Sequence, residues 1–567
     1  MRKFEREIKM ILNGSQIILE CLLEQGVDTV FGYPGGAVLN IYDELYKYSD
    51  KLNHILTSHE QGASHAADGY ARSTGKTGVV IATSGPGATN LVTGLATAYM
   101  DSIPVVAITG NVATPLLGLD SFQEVDITGI TMPITKHNYI VKDVTKLADA
   151  IREAFFIAND GRKGPVLIDV PKDITAAKCE FEPKIPKKHT YEVDEEEISA
   201  AVKIIEQSEK PLIYAGGGVV SCDAADELAE FAEIIDAPVS LSLMGQCAFD
   251  NSNERYTGMM GMHGTKTSSL ALTECDLMIV LGARFSDRVT CSTDSFRNVA
   301  GTAKILHIDI DPAEVNKNIP ANARICGNVE LVLQKLNAVL TKKDHSDWMK
   351  QIAEWKKAYP LTQVSENPDD VLPKDVIETL DELTHGEAII STEVGQHQMW
   401  TAEFYNFRNP RSFASSGGLG TMGYGLGAAI GCKMGNPHKI VVNCAGDGSF
   451  YMNMNELTTL AKYQLPVIEL VFNNSVLGMV RQWQKLFYEE RFSQTTLEKP
   501  TDFELLGKAV GIEAFTIRKK SDIRPVLEKA IKLNKPVLIN CIIGMDINVL
   551  PMVPAGASIA EPILEIK

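Results

Sequence analysis

Residues 440–449, Ile-Val-Val-Asn-Cys-Ala-Gly-Asp-Gly-Ser, and 467–474, Val-Ile-Glu-Leu-Val-Phe-Asn-Asn, decide the fold. Each opens with a short apolar run, 440–443 or 467–472, and closes on glycine or polar residues that precede a helical pattern. Short apolar runs of this kind read as strands buried on both faces of a parallel sheet. Parallel strands deliver the residues at their C-terminal ends to one carboxyl edge, where open α/β sheets bind ligands. Asp447 and Asn474, 27 positions apart, then share that edge. Magnesium takes about six oxygen ligands, usually one or two from carboxylates and others from phosphates or water. Asp447, the Asn474 side chain and the Val476 carbonyl can supply part of that shell, and a diphosphate another part. Gly446 and Gly448 let backbone N–H groups approach the diphosphate at a helix start. Taken alone, Gly446-Asp447-Gly448 reads equally well as a tight turn. The asparagine pair behind its own strand favours the ligand reading.

The same rhythm runs outward along the chain. Strand-like runs at 29–32, 77–82, 105–109 and 166–170 are followed by 211–215, 277–281 and 305–308, and then by 388–391, 440–443, 467–472 and 537–542. Helical segments separate them, which predicts parallel sheets with helices on both faces. Two stretches break the pattern: the Pro- and Lys-rich 180–190, read as a linker, and the polar 341–370, which holds two tryptophans. The expected fold is therefore α/β, with three doubly wound parallel-sheet domains near 1–180, 191–340 and 365–550 and a tail at 551–567. The first and third domains could share a topology.

A chain of 567 residues, 45% hydrophobic and 22% charged, suits a globular protein of two to four domains. A formal charge of −18 without a basic block argues against a nucleic-acid binder. No apolar stretch approaches the roughly 20 residues needed to span a bilayer, and the N-terminal residues lack the core of a signal peptide. The ten cysteines are dispersed and read as reduced thiols of a cytoplasmic protein. Two decoys are set aside. His59-Glu60 opens like a zinc-protease helix, but His65 is too far on for an i, i+4 ligand pair. Gly418-Leu-Gly-Thr-Met-Gly423 fits the dinucleotide fingerprint G-x-G-x-x-G, yet SFASS before it is a poor buried strand and no acidic strand end comes about 20 residues later.

With the GDG…NN pair identified, the chain resembles the large subunit of acetohydroxyacid (acetolactate) synthase over almost its whole length. The resemblance is carried by GYPGGA (32–37), HEQGASHAADGYAR (59–72), SGPGATN (84–90), DSFQE (120–124), ITKHNY (134–139) and GPVLIDVPKD (164–173). It continues through GMHG (261–264), RFSDRVT (284–290), STEVGQHQMW (391–400), GGLGTMGYGLGAAIG (417–431) and LGMVRQWQ (477–484). It implies a pyrimidine-binding domain, a central FAD-binding domain and a diphosphate-binding domain. It also implies active sites between the subunits of a homodimer, and leaves a tetramer and a separate small regulatory subunit open.

The resemblance assigns roles residue by residue. Glu60 matches the glutamate that drives the aminopyrimidine of thiamine diphosphate to its imino form; a charge at a helix N-terminus is the bland alternative. Gly36, Gly420 and Met479 match cofactor contacts, and Gln396, His397, Gly446, Gly448 and Ser449 match the diphosphate site. Met422 matches the apolar side chain that bends the cofactor, and Gln123 a glutamine near the reacting carbon. Phe122 and Lys172 match residues lining the substrate channel. Arg288 is similar to an arginine that holds the second keto acid's carboxylate, a task suited to its planar fork. Trp483 resembles the tryptophan that favours 2-ketobutyrate over pyruvate. The implied reaction decarboxylates pyruvate and joins the hydroxyethyl unit to pyruvate or 2-ketobutyrate, the first common step of branched-chain amino acid biosynthesis.

The implied FAD is structural, since nothing in decarboxylation and ligation passes electrons to a flavin. Its matches begin with Arg162 and the glycines Gly216, Gly217 and Gly218. Leu243, Met244, Gly261, Met262 and His263 come next, then Gly282, Arg284 and Asp287, and finally Asp309, Ile310, Asn328 and Val329. Three glycines after a strand also suit a loop without a ligand. Pro115 stands in a loop where relatives place a basic residue, which leaves any arginine contact from that loop open. No leader is legible before the first domain, as expected of a bacterial or archaeal cytosolic protein. The rival readings are an FAD-free acetolactate synthase, a pyruvate oxidase, a nucleotide-binding dehydrogenase using the G-x-G-x-x-G segment, and an inactive paralogue. The intact Glu60, Gln123, Asp447 and Asn474 argue against the last.

Overall fold

The computed structural model describes residues 10–187, 189–299, 301, 303–498 and 501–566. It contains three six-stranded sheets, each from one of the segments expected to form a domain, and every pairing described within them is parallel. The strands are near-continuous runs of Val, Ile and Leu; Gly78–Ala82, Pro211–Ala215 and Leu277–Leu281 are buried at every position, as a sheet covered on both faces requires.

The first sheet has the order Asn53–Leu56, Thr29–Tyr33, Gly78–Ala82, Val105–Asn111, Val166–Pro171, His137–Ile140. Numbered within itself, that is 2-1-3-4-6-5. The third sheet, Phe413–Ala414, Ile389–Thr392, Val441–Gly446, Val467–Asn473, Val537–Ile542, Glu513–Ile517, repeats this order. The shared topology considered from sequence is therefore present. The central sheet runs Tyr256–Met259, Val239–Leu241, Pro211–Ala215, Leu277–Leu281, Lys304–Asp309, Ala323–Cys326, which is 3-2-1-4-5-6, the order of doubly wound dinucleotide-binding folds. A two-stranded antiparallel pair, Met10–Asn13 with Lys178–Phe181, stands apart.

Several strands lie outside the runs expected from sequence. The edge strands Asn53–Leu56, His137–Ile140 and Glu513–Ile517 carry polar positions because an edge has only one covered side. The segment 412–416, read as a poor buried strand, is buried throughout and contributes the two-residue edge strand Phe413–Ala414; its serines bond internally, Ser415 with Thr392 at 2.7 Å. The polar stretch 341–370 is not only a connector: it holds the helix Ser346–Ala358, in which Trp348 and Trp355 meet edge to face at 5.6 Å.

By internal packing the chain groups into two compact units. The first comprises Met1–Thr190, Gly418–His438 and Tyr451–Val467, and the second comprises Tyr191–Gly417, Lys439–Phe450 and Ile468–Lys567. Within the first unit the helices Glu60–Thr74 and Gly425–Gly435 pack backbone against backbone: a Cβ at Gly69 would overlap the Ala428 backbone, and one at Gly431 would overlap Ala66. Glycine at both positions lets the helices approach this closely.

Candidate active site

In the second unit, the site residues gather where the order of the third sheet reverses, between Ile389–Thr392 and Val441–Gly446, the expected place for a ligand in an open α/β sheet. Val441–Gly446 runs into a helix that begins at Asp447. The Ser475 N–H donates to Asp447 Oδ2 at 2.9 Å, and Asn474 Oδ1 accepts from the Val476 N–H at 3.2 Å. Asp447, Asn474 and Val476 are thus brought together. Among the described residues no group of three or more His, Cys, Asp or Glu could hold a metal ion, so a cation here would rest on one carboxylate, an amide oxygen and a carbonyl, a donor set magnesium accepts alongside phosphate.

Two polar atoms beside this pair are buried without a hydrogen-bond partner among the described residues: Gln396 Oε1 and His397 Nε2. Gln396 spends its amide nitrogen on Gln482 Oε1 (3.0 Å) and the Ile547 carbonyl (2.9 Å). A Cβ at Gly478 would overlap Gln396 Oε1 and come within 2.9 Å of Asn474 Nδ2, so any side chain there would displace the Gln396 amide. The His397 ring lies against Gly446, and burial pushes its pKa down to about 3, opposed by a backbone hydrogen bond at Glu393; it is held neutral. It does not cap its helix, whose N-cap Gly395 makes no side-chain bond. Ser449 donates to Glu393 Oε2 at 2.7 Å. An unspent amide oxygen and ring nitrogen beside a glycine-lined backbone, whose N–H groups can approach an anion, fit a cation and its diphosphate.

In the first unit, Glu60 heads the helix Glu60–Thr74, directly after the edge strand Asn53–Leu56. Its Oε2 accepts from Asn90 Nδ2 at 3.0 Å, and a Cβ on Gly87 would sit 3.1 Å from its Oε1. The side chain is therefore turned toward the SGPGATN turn. Gln123 adopts a left-handed φ of 59° and packs on Gly85 of the same turn, where an added Cβ would lie 2.9 Å from the Gln123 Cα. One turn thus contacts both Glu60 and Gln123. Gly36 faces open space, while Phe122, 87% exposed, and Lys172 lie at the surface. Gly420 takes a left-handed φ of 70° and Met422 is half-buried. Pro115 opens a short 3-10 turn, Thr114–Leu116, in a loop whose Gly118 and Ser121 N–H groups donate to the Glu124 carboxylate.

In the second unit, Arg288 is exposed and its Nη1 approaches Met262 Sδ at 3.2 Å. Trp483 packs on the cluster formed by Met262, Cys291 and Val553, with its Nε1 buried and unpartnered among the described residues. The arginine and the tryptophan therefore converge on Met262. Met479 packs on the core of the third sheet.

The central sheet reverses its order between Pro211–Ala215 and Leu277–Leu281, and Gly216–Gly218 and Gly282 come directly after those strands. A Cβ at Gly218 would fall 2.6 Å from the Gly282 Cα, so part of the glycine requirement is loop-on-loop packing. Leu243 and Met244 form a 3-10 turn, Asn328 caps the helix Val329–Val339 through the Leu331 N–H, and Asp309 accepts from the Asp311 N–H. Gly261, His263, Arg284, Asp287 and Ile310 lie beyond strands of the same sheet, and His263 Nδ1 is buried and unpartnered among the described residues. This edge fits a dinucleotide. Arg162, in the first unit, donates to Ser102 Oγ at 2.8 Å.

Asn90 and Glu393 sit inside segments quoted from sequence, but nothing in their residue type announced the bonds they make. Glu456, whose carboxylate lies beneath the start of the Glu60 helix, carried no signal at all.

Three family profiles match consecutive parts of the chain: "Thiamine pyrophosphate enzyme, N-terminal TPP binding domain" over 12–130, its central domain over 198–336 and its "C-terminal TPP binding domain" over 393–541. The acetolactate synthase large subunit of Porphyra purpurea is 46% identical over 566 residues, covering 97% of this chain and 95% of that one. The probable acetolactate synthase large subunit of Methanocaldococcus jannaschii is 45% identical, covering 97% and 96%. The acetolactate synthase of Mycobacterium leprae is 46% identical, covering 98% and 91%. Matches of this extent, over a chain whose first and third sheets share one topology, establish that it belongs to the acetolactate synthase large-subunit family of thiamine pyrophosphate enzymes.

Proposed function

We propose that the chain is the catalytic subunit of acetolactate synthase, decarboxylating pyruvate and ligating the hydroxyethyl unit to pyruvate or 2-ketobutyrate in branched-chain amino acid biosynthesis. Bound thiamine diphosphate supplies a nucleophilic carbon and an electron sink for the carboxylate's electrons. Asp447, Asn474 and the Val476 carbonyl hold Mg2+, while Gln396, His397, Gly446, Gly448 and Ser449 hold the diphosphate. The His397 ring, held neutral by burial, would sit beside the diphosphate without bringing a charge.

Glu60, oriented by Asn90, exchanges a proton with the pyrimidine ring. Gln123, packed against the same turn, would lie near the reacting centre, and Met422, Gly36, Gly420 and Met479 would shape the cofactor site. Arg288 fixes the acceptor keto acid's carboxylate and Trp483 limits the pocket beside it; Phe122 and Lys172 line the approach. The glycine-lined edge of the central sheet would hold FAD as a structural group. The functional domains are 1–180, 191–340 and 365–550, with 551–567 as a tail. The working assembly is a cytoplasmic homodimer with active sites between subunits, joined by a separate small subunit as the relatives' name "large subunit" suggests. Among the described residues no helix is long and apolar enough to cross a membrane.

The observation that carries this reading is the pairing of Asp447 with the Asn474 turn beside the unspent Gln396 and His397 atoms. Acetolactate formation from pyruvate, assayed with and without thiamine diphosphate, Mg2+ and FAD, tests it. Activity that needs all three supports the reading, while activity without thiamine diphosphate refutes it.

A further inference from the structure

Glu456 lies in the short turn Met454–Glu456 and is fully buried in the first unit. Its carboxylate takes up the backbone just before Glu60: Oε1 accepts from the Ser58 N–H at 3.1 Å and the His59 N–H at 3.0 Å, and Oε2 accepts from the Ser58 N–H at 3.1 Å. The Thr459 hydroxyl donates to Oε2 at 2.6 Å and Asn455 Nδ2 reaches Oε1 at 3.4 Å. Gly62, two residues beyond Glu60, lies so close that a Cβ there would overlap the carboxyl group. Burial pushes the Glu456 pKa up to about 7, while the Thr459, Ser58 and His59 bonds oppose the rise.

A buried carboxylate is costly unless well bonded, and the helix start has another means of satisfying its N–H groups. Helix N-termini usually satisfy their free N–H groups through the local N-cap side chain, and here His59 already does so, its Nδ1 accepting from the Gln61 N–H at 3.0 Å. Glu456 instead holds the two amides outside the helix, and with them the direction in which Glu60 leaves the backbone. We infer that Glu456 is a positioning residue that sets the aim of the Glu60 carboxylate by clamping the Ser58 and His59 amides against Gly62. The inference rests on the proposed proton-exchange role of Glu60. A general acid or base must lie within hydrogen-bond reach of its proton, and a displacement of about 1 Å can cost about 100-fold in rate.

The test compares wild type, Glu456→Gln and Gly62→Ala in three measurements: deuterium exchange at C2 of bound thiamine diphosphate by quenched-flow NMR, the kcat and KM for pyruvate, and the melting of the cofactor-free proteins. Gln keeps the shape but turns an N–H donor toward amides that are themselves donors, and an alanine Cβ displaces the carboxyl group. The expected result is C2 exchange and kcat lowered at least about tenfold in both variants, with KM unchanged and Tm within about 4 °C of wild type. Wild-type exchange rates in the variants overturn the inference, and so does a melting loss large enough to empty the folded state, which marks a purely structural role. Wild-type protein that exchanges C2 no faster than free cofactor refutes the role of Glu60 itself, a separate result.

Discussion

The Ser475 N–H donates to Asp447 Oδ2 at 2.9 Å, tying the carboxylate at the end of one strand to the turn at the end of the next. This bond holds the Asp447 carboxylate at the same edge as Asn474. Asp447→Asn keeps the size but removes the charge and sets an amide against the Ser475 donor. Losing one charged hydrogen bond of about 1.5–3 kcal/mol corresponds to a ten- to hundredfold weaker cofactor. Titration of activity with thiamine diphosphate at fixed Mg2+ should show that shift, with an unchanged far-UV circular dichroism spectrum.

Glu60→Gln should retain fold and cofactor binding while losing most turnover, by about 100-fold or more. Asn90→Ala, which removes the 3.0 Å bond to Glu60 Oε2, should give a smaller loss in the same parameter. Near-normal acetolactate formation by Glu60→Gln would remove the proposed role.

Trp483 and Arg288 meet at Met262, so the proposed acceptor pocket adjoins the proposed carboxylate site. Trp483→Leu should lower the preference for 2-ketobutyrate, read from the ratio of acetohydroxybutyrate to acetolactate when both keto acids compete. Arg288→Lys should raise KM for the acceptor, because a point charge cannot reproduce the guanidinium's two parallel bonds. An unchanged ratio in the first variant would refute the assignment.

A buried ion-pair network crosses the first unit. Arg72 Nε bonds Asp68 Oδ1 at 2.6 Å and its Nη2 bonds Asp101 Oδ2 at 2.8 Å. Tyr424 donates to Asp68 at 2.6 Å, and the Gly418 N–H donates to Asp101 Oδ1 at 2.7 Å. The network therefore pins both ends of the segment that carries Gly420 and Met422. Removing one partner of such a pair strands a buried charge and costs about 3–5 kcal/mol. Asp101→Ala should lower the midpoint of denaturant unfolding accordingly and loosen thiamine diphosphate binding; a stability within about 0.5 kcal/mol of wild type would contradict this.

His65 is fully buried, meets Tyr424 edge to face at 5.2 Å, and is pushed down to about 3, chiefly by burial and then by the Arg72 charge. Its folded pKa lies below the unfolded value near 6.5, so the neutral ring favours the fold. That stability is complete above pH 6.5 and is lost as the pH falls from 6.5 toward 3, because the unfolded chain binds the proton first. Unfolding free energy measured between pH 7 and 5 should fall with pH less steeply in His65→Gln than in wild type. Equal slopes would show that His65 takes no part in the linkage.

Much of this arrangement was legible in the residues. The runs at 211–215, 277–281 and 537–542 coincide with observed strands, because strands buried on both faces need unbroken apolar sequence. The edge strands were not legible: Asn53–Leu56 and Glu513–Ile517 carry polar residues on their uncovered side. The pairing of Asp447 with the Asn474 turn came from parallel strand order. By contrast, the Asn90 bond to Glu60, the Glu456 clamp and the meeting of Arg288 with Trp483 at Met262 join positions with no shared period or motif.

The amino-acid order by itself determined the α/β class, the strand-end placement of Asp447 and Asn474, and the family, since these depend on local periodicity and on motifs read in sequence. Only the tertiary structure decided how the chain divides into two units, which buried atoms stay unspent beside Asp447, and that a carboxylate at 456 steers the backbone before residue 60. Such contacts join positions hundreds of residues apart, here 58 and 456, and arise when packed surfaces meet, so no local pattern encodes them.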